Sequence, residues 1–310
     1  MMRVFLTRWG VLVFLGLALM DAAETPTRRP NVIFILADDA GYGDLGCYGQ
    51  KRFTTPHLDQ MAAQGMKFTR HYAGGTVCAP SRCVLLTGLH NGHARVRSNG
   101  PAVVPDRDPT LPKMLTAAGY VTACIGKYGL GDPVPMQDPQ RKGFAHFYGY
   151  LDTTHAHNGY TDFLVRNGQR VALQNELIPG SGRRQEGTGV ATADGRRQWV
   201  PQLLADEVQR WLEERAQQRE QPFFLYYPLN LPHANNEAGK KKSPLGHGLE
   251  SPSYGEFAQK DWPAAEKGFA SLMRFVDDQV GAVMQALQRL QLDENTVCLL
   301  YTSPSPRDRG

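Results

Sequence analysis

Short unbroken apolar runs alternate along this chain with stretches whose apolar residues recur every three or four positions. Asn31–Leu36 (NVIFIL) is a continuous run of strand formers, the pattern of a buried parallel strand. Thr55–Gly65 predicts a short capped helix stopped by glycine, and Met66–Ala73 (MKFTRHYA) a returning strand. Cys78–Gly88 (CAPSRCVLLTG) reads as a helix start, with Pro80 early in the first turn and an apolar run behind it. Leu111–Tyr120 predicts an amphipathic helix with Gly119 as its stop, and Val121–Gly131 a strand that runs into a glycine loop. Leu203, Leu204, Val208, Trp211 and Leu212 recur at helical spacing after Trp199. Pro222–Asn235 predicts a buried strand followed by His233, and Ala264–Leu290 a long helix. Residues 166–198 are polar and aperiodic and read as an exposed insertion, a substrate rim. Residues 236–262 read as a loop whose lysines, Lys240–Lys242, are solvated. Strands alternating with helices predict an α/β fold with a largely parallel sheet flanked by helices.

Composition adds limits. The chain has 310 residues, 41% hydrophobic and 21% charged, which is ordinary for a globular protein. A net charge of +4 is too weak to argue for nucleic acid. Residues 1–23 carry a basic start, an apolar middle and small residues at the end, the pattern of a secretory signal peptide, with an uncleaved anchor as the alternative. Contact with the membrane is then expected only through this segment, and the mature chain is expected to be secreted or periplasmic. Cys47, Cys78, Cys83, Cys124 and Cys298 make no disulfide framework for a chain of this size.

Candidate chemistry collects at a few positions. Cys78 at a helix N-terminus, with Arg82 one turn on, suits a tetrahedral oxyanion, although a lone cysteine can equally be a small core residue. Asp38 and Asp39 end the first strand, where open α/β sheets place ligands. Adjacent carboxylates suit a hard cation, while Asp and Gly also form ordinary turns. Lys127 ends the next strand and could be merely solvent-exposed. His233 follows strand and proline, and its titration range suits protonation of a departing alkoxide. His155 and His157 would share a face if their segment is extended, or be plain loop residues.

The C-x-P-S-R motif at Cys78–Arg82, together with the Asp38–Asp39 pair and Gly-Lys-x-x-Leu-Gly at Gly126–Gly131, resembles the sulfatases of the alkaline phosphatase superfamily. The resemblance spans about Pro30–Val297 and implies an alkaline phosphatase-like catalytic domain over residues 30–297 with its C-terminal part missing. It implies that Cys78 is oxidised to formylglycine by a formylglycine-generating or sulfatase-maturing enzyme, and that its hydrated aldehyde attacks sulfur. Asp38, Asp39 and the side chain at 78 would hold calcium. Arg82 and Lys127 would offset charge on the sulfuryl oxygens, and His233 would assist the leaving alcohol. The substrate class would be sulfate esters, expected to be extracellular glycans. One departure stands out: many members carry a histidine two residues after the lysine, where this chain has Gly129, and His155 and His157 are candidates to replace it or to contact substrate. A phosphonate or phosphate diester hydrolase of the same superfamily, and a non-catalytic sulfated-glycan binder, remain as rivals. Cys298–Asp308 (CLLYTSPSPRD) matches one translated frame of a transposon-based sequencing adaptor, so residues 298–310 are expected to be foreign and the chain to be truncated and inactive.

Overall fold

The computed structural model describes residues 28–100, 103–130, 138–183, 186–238 and 243–302. The segment at 1–23 expected to be a signal peptide, Lys240–Lys242 and residues 303–310 lie outside them. Seven strands form one sheet: β1 (Asn31–Asp38), β2 (Val121–Lys127), β3 (His146–Tyr150), β4 (Phe163–Arg166), β5 (Gln169–Ala172), β6 (Phe223–Pro232) and β7 (Thr296–Thr302). Their order is β5-β4-β3-β2-β6-β1-β7. The β3–β2–β6–β1–β7 block is parallel, and the β4–β5 hairpin is antiparallel at one end. The α/β architecture read from periodicity is therefore the one found, as a mixed sheet.

Helices α1 (Pro56–Gln64), α2 (Cys78–Thr87), α3 (Leu111–Ala117), α4 (Val200–Ala216) and α5 (Ala264–Arg289) complete the fold. β6 shows why its sequence is apolar without interruption. Phe223, Leu225, Tyr227 and Leu229 point into one core with Leu204, Val208 and Trp211 of α4 and Val276, Val280 and Val283 of α5. Phe224 and Tyr226 point into a second core with Ala79, Cys83 and Leu86 of α2. A central strand covered on both faces has no polar face to show. Each such buried large side chain contributes about 1.5–3 kcal/mol.

Three expectations need correction. Residues 66–73 form no strand: Met66, Phe68 and Tyr72 stay exposed, so an extended segment here would have no buried face to rest on. Residues 166–198 are not an exposed insertion. They contain the end of β4, β5 and a bridge between Leu177 and Ala191, with Val190 and Ala191 fully buried. Asn175 replaces apolar periodicity as the organiser here, donating to the Thr161 and Gln198 carbonyls and accepting from the Arg197 and Gln198 amides. Finally, His155–His157 is a single 3-10 turn rather than extended chain, so the two imidazoles do not share a face. β7, which includes Cys298–Thr302, pairs with β1 in parallel register from Asn31–Thr296 to Ala37–Thr302.

Candidate active site

Parallel strands end on one edge of the sheet, and that topology assembles the site. β1 delivers Asp38, β2 delivers Lys127, and β6 delivers the chain to His233. α2 begins at Cys78, directly after Val77, whose φ of 60° is a costly backbone for a β-branched residue and is spent where the chain turns into the site. The Ala79 amide donates to Asn99 Oδ1 at 2.9 Å, so a loop side chain caps this turn.

The centre is a buried cluster of charge. Lys127 Nζ lies 2.5 Å from Asp38 Oδ2 and 3.4 Å from Cys78 Sγ. Arg82 Nη2 lies 3.2 Å from Asp38 Oδ1, and both side chains are fully buried. Arg82 also donates to the Lys127 carbonyl and, at 3.4 Å, to the Tyr226 hydroxyl. Burial disfavours the Asp38 carboxylate, but Lys127 and Arg82 outweigh it and hold the group well below the usual carboxylate range. Burial likewise opposes the Lys127 ammonium, and Asp38 and Cys78 reverse the balance and push it up. Burial and then repulsion from Asp38 push the Asp39 carboxyl up. The Cys78 thiol is opposed by burial and by Asp38, yet Lys127, a contact from His157 and Arg82 together pull it down.

His233 Nε2 lies 3.4 Å from Asp39 Oδ2, and its Nδ1–H donates to the Ala234 carbonyl at 2.7 Å. The His157 ring stacks on His233 with centroids 4.3 Å apart and planes at 12°. Cys78, Arg82, Lys127, Asp38, Asp39, His233 and His157 are thus brought together. His155 is not: its Nε2 bonds Thr161 Oγ1 at 2.7 Å and its ring lies against Phe163 and Tyr150. Glu237, which meets His157 Nδ1 at 3.1 Å, escaped sequence reasoning, because a glutamate in a polar loop carries no periodic signal. Gly129 has φ +61°, and a Cβ there would lie 3.1 Å from Thr153 Cγ2 and 3.2 Å from Arg82 Cδ. No side chain from position 129 could therefore enter the site without moving these neighbours.

One ligand atom each from Asp38, Cys78 and His233 lies within 4.8 Å of the others. Two adjacent carboxylates, one with its charge resisted by burial and by the other, form a donor set that suits a hard cation. Two carboxylates would supply only part of the six to eight oxygens that a calcium-sized cation takes. Fixed cations around Cys78 and the first amides of α2 together form a place for an anion with several oxygens.

The sulfatase family model matches residues 30–303. N-acetylgalactosamine-6-sulfatase of Canis lupus familiaris is 32% identical over 310 aligned residues, covering 96% of this chain and 54% of that protein. Arylsulfatase A of Homo sapiens is 30% identical, covering 93% and 54%. The chain spans about half the length of the curated relatives it matches. Among solved structures, Ps i-CgsB in complex with k-i-k-neocarrahexaose superposes with a TM-score of 0.70 at 23% identity, over 88% of this chain and 58% of that one. Phosphonate monoester hydrolase of Agrobacterium radiobacter superposes at 0.54 with 21% identity, over 88% and 62%. Such identities speak to fold alone.

Proposed function

We propose that this chain, which belongs to the sulfatase family, is the part of a sulfuric ester hydrolase that carries the nucleophile, with residue 78 in that role and a sulfated glycan as substrate. The observation that carries the reading is the meeting of Cys78 with Lys127, Arg82 and the start of α2 in one buried site. A sulfuryl group seated there would have its oxygens facing two cations that cannot move away, because Asp38 holds both. His233 lies beside the same site, on the Asp39 carboxylate, where a proton could be passed to a leaving oxygen. His157, with Arg183 and Glu237 beside it, would form the substrate side. The relatives' names, N-acetylgalactosamine-6-sulfatase among them, support a sulfated glycan.

Formylglycine at position 78 would supply a hydrated aldehyde, a nucleophile that can release sulfate without a second attack at sulfur. Calcium on Asp38 and Asp39 would add a further positive charge beside the sulfuryl oxygens. A maturing enzyme would then be an obligatory partner, and export would follow from the leader at 1–23. No helix among the described residues is long and apolar enough to cross a membrane.

The test compares an aryl sulfate with an aryl phosphate diester bearing the same leaving group, using a full-length version of the protein co-expressed with a maturing enzyme. Sulfate-ester turnover that is abolished by Cys78→Ala, with an unchanged circular dichroism spectrum, is expected. Preference for the diester would move the assignment to phosphoryl transfer. An unconverted Cys78 by mass spectrometry, together with sulfated-glycan binding but no turnover, would leave a binding protein.

A further inference from the structure

Residue 78 has a single torsion between its backbone and its reacting atom, so the place of that atom is set almost wholly by the turn from Val77 to Ala79. Lys127 Nζ, 3.4 Å from Cys78 Sγ, meets the far end of the side chain and does not hold the backbone beneath it. The turn is poorly supported by its own sequence. Val77 stands at the N-cap of α2, where Ser, Thr, Asp or Asn would offer an oxygen to the first amides, and it has none to offer. Its φ of 60° is one that a β-branched residue keeps only where its surroundings hold it there. The bond from the Ser81 amide back to the Val77 carbonyl is long, at 3.3 Å.

The missing oxygen comes from outside the helix. A loop leaves α2 at Gly88, whose amide donates to the Val84 carbonyl at 2.9 Å, and returns to the first turn of the same helix at Asn99. Asn99 Oδ1 accepts from the Ala79 amide at 2.9 Å. The loop is a fixed frame. Ala94 and Val96 are buried in one core with Ala79, Cys83 and Leu86 of α2. The Ala94 amide donates to the His90 carbonyl at 2.9 Å, and Arg97 Nε donates to the Ala94 carbonyl at 2.9 Å. The loop thus clasps α2 from its last turn to its first and brings one acceptor to the amide next to residue 78. We propose that Asn99 is a positioning residue for the reaction: by holding the Ala79 amide it fixes the backbone that aims residue 78 at sulfur. The proposal rests on the sulfatase reading above, which makes residue 78 the nucleophile. It adds a residue that touches neither substrate nor reacting atom. In-line attack tolerates little displacement, and a shift of about 1 Å can cost on the order of a hundredfold in rate. A backbone held in a strained turn moves toward a relaxed one when a restraint is removed, and the short side chain at 78 has no second torsion with which to compensate.

The experiment has two arms. In the first, the 310-residue chain is made without a maturing enzyme, so that Cys78 stays a thiol. Alkylation by iodoacetamide is followed by peptide mass spectrometry, with the half-buried Cys47 as internal reference. Asn99→Ala should change the Cys78 rate by about threefold or more, since thiol reactivity follows the surroundings of the sulfur, and leave the Cys47 rate as it was. In the second arm, a full-length version co-expressed with a maturing enzyme is assayed on an aryl sulfate, with rates expressed per formylglycine counted by mass spectrometry. Asn99→Ala should lower kcat about tenfold with KM within about twofold of wild type, and Asn99→Asp, which keeps the acceptor, should restore kcat. A cap that served stability alone would lower the melting temperature and leave kcat per converted site unchanged. Asn99 is exposed, so both substitutions spare the core. An unmoved Cys78 alkylation rate, a kcat in Asn99→Ala within about twofold of wild type, or an equal loss in Asn99→Asp would overturn the proposal. The two readings fail separately: a wild-type protein without sulfate-ester turnover sinks the function while the alkylation arm still decides whether Asn99 holds residue 78, whereas turnover undiminished in Asn99→Ala sinks the positioning role alone.

Discussion

Asp38→Asn tests the buried charge cluster most directly. The substitution keeps size and shape and removes the one charge that faces both Lys127 at 2.5 Å and Arg82 at 3.2 Å, with all three side chains fully buried. Breaking a buried pair by deleting one partner costs about 3–5 kcal/mol, because the remaining charge is left without compensation. Here two cations are orphaned, but they respond differently. Lys127 can shed its proton, whereas Arg82 cannot, so one buried charge persists and the lower half of that range is expected. At about 2–4 °C per kcal/mol for a domain of this class, the melting temperature should fall by roughly 6–16 °C. The assay is thermal and denaturant unfolding at pH 7 with a chelator present, so that no metal masks the loss. Adding Lys127→Met to Asp38→Asn should recover part of the loss, giving a coupling energy of about 1 kcal/mol or more. The pH dependence has a definite sign. The folded-state Asp38 carboxyl lies below its unfolded value, so its contribution is present above about pH 4 and is lost as pH falls toward the folded value. The stability gap between variant and wild type should therefore narrow in acid. A variant within about 0.5 kcal/mol of wild type at pH 7, or strict additivity in the double variant, would refute the idea that this cluster is held by its central carboxylate.

Three further outcomes follow from single positions. Asp39→Ala should weaken calcium binding measured by calorimetry, because an oxygen donor and a charge leave together, and unchanged binding would remove Asp39 from the metal site. Gly129→His should destabilise the fold by about 1–3 kcal/mol rather than add a working base, given the left-handed backbone and the close approach of Thr153 and Arg82; a neutral thermal melt would contradict this. Glu207 accepts from His146 at 2.8 Å and also binds Arg166 and Arg210, which are partly exposed. Glu207→Gln should cost about 1–2 kcal/mol once solvent screening is allowed for. Burial opposes the Glu207 carboxylate, but His146, Arg166 and Arg210 hold it below its ordinary range, so the gap should be full above about pH 4.5 and close as pH falls further, in urea titrations across that range.

What the sequence by itself determined is what short-range pattern can carry. An unbroken apolar run such as Asn31–Leu36 can only be buried on both faces, and the parallel sheet follows from several such runs separated by helices. Asp38, Lys127 and His233 were legible because each ends a strand of that kind, and parallel strands end on one edge. Cys78 and Arg82 were legible as one helical turn. What only the tertiary structure decided depends on contacts between distant segments. Residues 66–73 have a strand-like composition, yet Met66, Phe68 and Tyr72 are left exposed, and without a buried face the segment joins no ladder. His155 and His157 stand two apart in a polar loop with nothing local to separate them. A single 3-10 turn sends one imidazole to Thr161 and the other across to Glu237, distant in sequence, and onto His233. Glu237 gains its place only from that meeting, since a buried carboxylate is tolerated where a partner satisfies it, and partners brought together by folding leave no mark in local periodicity.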